Sequence, residues 1–149
     1  MLKNIDPRLN ADVLHALHLM GHGETVALVD TNFPADGVSR HTSYGKLLRL
    51  DNLTSAEAME TVLSVLPLDS PIQPSVGRMQ VMGSPNEMPE VQREVQAVLR
   101  ESEGEDGSLY DIERFAFYEE AKKAYCVIAT GERRFYGCFL LTKGVIAPL

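Results

Sequence analysis

Glu24-Thr25-Val26-Ala27-Leu28-Val29-Asp30 is a valine-rich run of strand length, apolar along its middle and closed by a carboxylate. Such a run reads as a strand buried within a sheet. Just before it, Asn10 is a good N-cap and Gly21 a good C-terminal stop. Val13, Leu14, Leu17 and Met20 recur between them at helical spacing, which predicts a helix over 10–21. A helix leading straight into a buried strand points to helices layered on a sheet.

The alternation continues downstream. Thr31-Asn32-Phe33-Pro34 is a loop, and residues 46–50 suit a short second strand. Thr54-Ser55-Ala56-Glu57 has the form of a capping box. Ala58, Met59, Val62, Leu63 and Leu66 supply the apolar face of the helix it opens, and Pro67 and Pro71 end it. Residues 76–82 alternate like a strand. A helix over 89–101 turns Val91, Val95, Val98 and Leu99 inward, and 102–108 reads as an exposed acidic loop. Residues 109–114 alternate into a short helix over 115–123. A strand over 124–130, a tight turn over 131–134 and a last strand over 136–142 complete the chain. Alternating helices and strands imply a layered α/β fold, and the tight turn predicts antiparallel closing strands in a mixed sheet.

The length of 149 residues suits a single domain over 1–149. A net charge of −7 disfavours binding to phosphate backbones, and no polybasic segment offers a membrane anchor. No apolar run approaches the roughly 20 residues of a membrane helix. The first residues lack the pattern of a signal peptide, so the cytoplasm is the expected compartment. The two cysteines, Cys126 and Cys138, lie in apolar surroundings at no metal or redox spacing, and read as buried small residues in neighbouring strands.

Met20-Gly21-His22-Gly23-Glu24 carries the first candidate chemistry. The flanking glycines leave the imidazole uncrowded in a helix-to-strand loop, where it can exchange a proton near neutral pH. The alternative is a histidine that caps the helix and complements its dipole. Asp30, at the carboxyl end of the strand, can accept hydroxyl hydrogen bonds or orient the histidine, because open α/β sheets bind ligands at that edge. It can equally open an Asx turn. His15 and His18 would join His22 in a metal site only on an extended helix, which Gly21 argues against. They read as exposed or subunit-contact residues, with no metal expected. Glu119-Glu120 and Glu132-Arg133-Arg134 read as solvated charge, and no phosphate loop or nucleophile elbow is present.

Taken in order, six stretches resemble the ribose pyranase and fucose mutarotase family. They are residues 2–7, 20–24, 30–35, 114–119, 130–132, and Tyr136-Gly137 before Lys143-Gly144-Val145. Residues 114–118 and Tyr136-Gly137 lean to the fucose branch. The resemblance implies a three-layer α/β/α fold with a mixed, mainly parallel central sheet. It implies an isomerase that interconverts sugar anomers without a cofactor. His22 would be the proton donor, with Tyr118 a further candidate for proton transfer. Asp30, Arg114 and Tyr136, with Gly137 and Cys138, would bind a free monosaccharide. It further implies a homodecameric ring with sites at subunit boundaries. Two residues depart from the family pattern: Cys138 stands where asparagine is common, and Thr31 where alanine is usual. A thiol is a far weaker hydrogen-bond partner than an amide, so the departure at Cys138 bears on which sugar is bound. The competing expectations are a non-catalytic sugar-binding module, a D-ribose pyranase, and a metal-dependent enzyme using His15, His18 and His22.

Overall fold

The computed structural model describes residues 1–69 and 74–149. The elements run α1 (Ala11–Leu19), β1 (Thr25–Val29), α2 (Ala35–Ser39), β2 (Leu48–Leu50), α3 (Ser55–Leu63), β3 (Val76–Met79), α4 (Glu90–Glu103), β4 (Leu109–Ile112), α5 (Arg114–Lys123), β5 (Cys126–Thr130) and β6 (Phe139–Thr142). No helix among the described residues is long and apolar enough to cross a membrane.

Six strands form one sheet in the order β2-β5-β1-β6-β3-β4. β1, β2, β3, β4 and β5 share one direction, and β6 alone runs against them. The sheet is therefore mixed and mainly parallel. Its strands alternate between two cores, as a period of two requires. Val26 and Leu28 of β1 pack with Val13, Leu17, Met59, Val62, Val95 and Leu99 from α1, α3 and α4. Ala27 and Val29 pack with Ala35, Val38, Phe117 and Ala121 from α2 and α5. Helices thus cover both faces, giving three layers.

Local signals set most of the elements. The Asn10 side chain caps α1 by accepting from the Val13 N–H, and Thr54 and Glu57 close the expected capping box of α3. Three expectations need correction. Gly21 does not stop α1: the helix ends at Leu19 and Met20 is already extended. The Lys143 ammonium donates to the carbonyls of Leu17 and Met20 at 2.8 and 2.5 Å, and so serves the helix end itself. The acidic stretch 102–108 is helical as far as Glu103 and then makes a 3₁₀ turn over Gly104–Asp106. Finally, β5 and β6 are opposed in direction but do not pair, because β1 lies between them. The chain leaving β5 passes the end of β1 before it reverses into β6. The Gly131 N–H bonds the Leu53 carbonyl at 2.8 Å, and the Glu132 carbonyl accepts from Thr31 at 2.9 Å. Cys126 and Cys138 are both buried, as expected, but in different cores on opposite faces of the sheet. Pro71, expected to help end the second long helix, lies outside the described residues. Short α2 escapes the sequence reading because five residues are too few to establish a period.

Candidate functional site

Five strands present their carboxyl ends at one edge of the sheet, and antiparallel β6 brings its leading segment, 135–138, to the same edge. A cleft of about 200 Å³ opens there, lined by Asp30, Asn32, Phe33, Met79, Arg114, Tyr118, Phe135, Tyr136 and Cys138. This is where an open α/β sheet binds ligands. Of the residues singled out in the sequence, Asp30, Arg114, Tyr118, Tyr136 and Cys138 meet here. Gly137 lies behind the lining, and His22 does not line the cleft.

Asp30 serves structure and site together. Its Oδ1 accepts from the N–H groups of Asn32 and Phe33, both at 3.0 Å, which forms the expected Asx turn. Its Oδ2 accepts from the Gly137 N–H at 3.1 Å. A carboxylate offers about four acceptor positions, so lone-pair capacity remains for a ligand. Gly137 must lack a side chain: a Cβ there would sit 2.7 Å from Glu132 Cγ and 2.8 Å from Ser55 Oγ.

Tyr136 adopts a left-handed backbone, φ +64°, which costs a non-glycine residue energy unless its surroundings enforce it. Gln92 Nε2 donates to the Tyr136 carbonyl at 3.0 Å and to the Met79 carbonyl at 2.7 Å, and Gln92 Oε1 accepts from Arg78 at 2.8 Å. Arg78, only 2% exposed, also donates to Asp111 and to the carbonyls of Pro85 and Glu87, tying down the loop over 80–89. From that loop the Met82 N–H reaches the Tyr136 hydroxyl at 3.2 Å. Arg114 extends over the same loop, its Nη1 3.6 Å from Met82 Sδ. The Tyr118 hydroxyl beside it raises the guanidinium pKa above its ordinary value. The Tyr118 ring stacks on Phe33, with centroids 5.1 Å apart and planes 8° from parallel. Burial, with the charge of Asp30 beside it, pushes the Cys138 thiol well above its ordinary pKa, so this wall of the cleft is a neutral thiol.

The Glu132-Arg133-Arg134 run is not solvated throughout, which corrects the sequence reading. Glu132 is buried and accepts from the Ser55 N–H and from Arg134, which also makes a two-pronged pair with Glu94 at 2.9 and 2.7 Å. Burial opposes ionisation of Glu132, but Arg134 and the backbone donors outweigh it and hold the carboxyl below its usual range. Glu119 and Glu120 are exposed as expected.

His22 stands at the opposite edge, ahead of β1. At about 3.3 Å per residue, the strand alone puts roughly 13 Å between it and Asp30. Asp30 therefore does not orient His22 within one chain. Its partner is Asp69, whose Oδ1 lies 3.1 Å from Nε2; the side chains are 55% and 2% exposed. Nor does His22 cap α1, since Lys143 does so. His15 pairs instead with the Tyr44 hydroxyl at 3.3 Å. The described residues bring together no group of three or more His, Cys, Asp or Glu that could hold a metal ion. The sequence reading missed Asp69, Arg78 and Gln92. The one local signal was an arginine set in an alternating strand.

The family model described as the RbsD / FucU transport protein family matches residues 3–146. The fucose mutarotase of Homo sapiens is 39% identical, covering 98% of this chain and 95% of the human one. The crystal structure of protein Atu2016 is 65% identical and superposes with a TM-score of 0.96, covering 99% of this chain and 97% of the other. The fucose mutarotase of Streptococcus pneumoniae, solved in complex with L-fucose, is 31% identical with a TM-score of 0.87, covering 98% of this chain and all (100%) of that one. With a full-length family match, relatives aligned nearly end to end and the same mixed sheet, this chain belongs to the RbsD/FucU family.

Proposed function

We propose that this protein is a sugar mutarotase that interconverts the α and β anomers of a free monosaccharide, L-fucose or a related sugar, by general acid–base ring opening. The observation that carries the reading is the cleft at the carboxyl edge, where Asp30, Arg114, Tyr118 and Tyr136 offer polar groups beside a wall of Phe33, Met79 and Cys138. The substrate class follows from the human and streptococcal relatives, both named fucose mutarotases.

Mutarotation takes the proton from the anomeric hydroxyl, breaks the bond between the anomeric carbon and the ring oxygen, and delivers a proton to that oxygen. The aldehyde turns, and closure reverses the transfers. Nothing is oxidised and no group is carried, so the chemistry calls for no cofactor. A positioned acid or base contributes about 10²–10⁴-fold. In this reading His22 is the proton donor and Tyr118 transfers a proton or binds a hydroxyl. Asp30 and Arg114 hold hydroxyls by charge-assisted hydrogen bonds. Tyr136, Gly137 and Cys138 complete the sugar contacts.

His22 lies outside the cleft of its own chain, so the reading requires a site at a subunit boundary, where the partner subunit's His22 faces the cleft. Phe135 lines the cleft at 73% exposure, and Met82 and Phe115, beside its Arg114, are 58 and 63% exposed; exposed apolar side chains next to the cleft suit contact with another copy. A homodecameric ring meets this requirement. The protein then works in the cytoplasm on free sugar, with neither nucleic acid nor membrane as partner.

Saturation-transfer NMR over fucose, galactose and ribose tests the reading. Faster α/β exchange with protein, largely lost in His22→Ala, is the expected result, and unchanged exchange across the panel defeats it. Preference for ribose would make it a pyranase instead. The buried thiol of Cys138 favours one second reading, a sugar-binding module without catalysis; calorimetric binding without accelerated exchange is its signature.

A further inference from the structure

We propose that Asp69 is a positioning residue for His22: its buried carboxylate accepts from Nε2–H and leaves Nδ1 as the nitrogen that exchanges a proton with the sugar. This rests on His22 as the proton donor of the function proposed above. A carboxylate only accepts, so the imidazole nitrogen that faces it carries the hydrogen. The 3.1 Å contact joins a buried carboxyl to an otherwise exposed ring. Among the described residues, Nδ1 has no hydrogen-bond partner and stays open to a ligand.

The contact is held by the segment leaving β6, which touches both sides of it. The Gly23 N–H donates to the Lys143 carbonyl and the Lys143 N–H to the Glu24 carbonyl, both at 2.9 Å, which brackets the His22 loop. On the other side the Asp69 N–H donates to the Thr142 carbonyl at 3.1 Å, and the Gly144 N–H to the Pro67 carbonyl at 2.8 Å. Leu68 and Lys143 form an isolated antiparallel bridge. A Cβ on Gly144 would strike the Leu68 carbonyl and come within 2.8 Å of Asp69 Cα, so only glycine permits the approach. Residues 142–144 thus set the spacing between Asp69 and His22. Fixing the tautomer of a catalytic histidine is the role of the buried aspartate in serine hydrolases, where the asparagine variant keeps the geometry but permits the wrong tautomer.

The test is long-range ¹H–¹⁵N correlation NMR of the imidazoles in the ¹⁵N-labelled full chain, with His22 assigned by its loss in His22→Ala. The unsubstituted protein is expected to hold the neutral His22 ring as the Nε2–H tautomer. In Asp69→Asn the amide can donate as well as accept, so the tautomers redistribute. L-fucose anomer exchange falls by about 10²-fold, while calorimetric sugar affinity is retained. An Nδ1–H or mixed ring in the unsubstituted protein overturns the proposal, and so does an unchanged tautomer in Asp69→Asn. The spectrum of the unsubstituted protein decides even if that variant does not fold. An Nε2–H ring in a protein that accelerates no exchange counts against the mutarotase reading and for the contact itself.

Discussion

The side-chain amide of Gln92 donates to the backbone carbonyl of Tyr136 at 3.0 Å, from a position with no solvent exposure. It connects a helix of one layer to the left-handed turn that carries a cleft residue. Gln92→Leu keeps the bulk but strands the carbonyls of Tyr136 and Met79 and one Arg78 donor. A buried group left without its partner costs about 1–3 kcal/mol. The urea midpoint is expected to fall, and calorimetry to show weaker L-fucose binding as Tyr136 loses its anchor. Unchanged affinity in a destabilised variant would separate Gln92 from the cleft.

Gly137 has neighbours on three sides, Glu132, Ser55 and Asp30. Gly137→Ala forces the buried Glu132 side chain to shift and strains the Asp30 contact. Overpacking of this kind costs about 1–3 kcal/mol, which thermal unfolding would show as a lowered midpoint. A loss below ~0.5 kcal/mol, the range of ordinary surface changes, would mean that the Glu132 network yields freely.

Stability is expected to fall in acid. Glu132 lies below the ordinary glutamate value of 4.5 because Arg134 and backbone donors outweigh its burial, and Glu94 is lowered chiefly by its hydrogen bonds to Arg134. A depressed carboxyl binds fewer protons folded than unfolded. Its contribution is therefore complete above the unfolded pKa and is lost as the pH drops through the folded one. Urea denaturation should show stability declining below about pH 4.5, with a shallower decline in Glu132→Gln. An unaltered slope would assign the effect to other carboxyls.

Both thiols should be unreactive in the folded protein. Burial pushes Cys126 up to about 12 and Cys138 well above its ordinary value, and the thiolate is the reactive form. A disulfide reagent at mildly alkaline pH is expected to find no thiol in the native state and two after denaturation. Rapid labelling of Cys138 alone would mean that the cleft opens as far as its sulfur.

The sequence by itself determined whatever chemistry acts within a turn or two of chain. Asn10 and the Thr54–Glu57 pair start helices because a cap needs only neighbours three residues away. The 24–30 run is a buried strand because alternate residues feed two apolar layers. The order of motifs from His22 to Tyr136 sufficed to point to the family and to most of the cleft lining. Tertiary structure alone decided the rest. It put β1 between β5 and β6, which a turn-based reading made neighbours, since strand order depends on packing across the sheet. It buried Glu132 against an arginine pinned from α4. It also joined His22 to Asp69 across 47 residues of chain and sent it to the edge opposite Asp30, because a strand carries its two ends to opposite edges of a sheet.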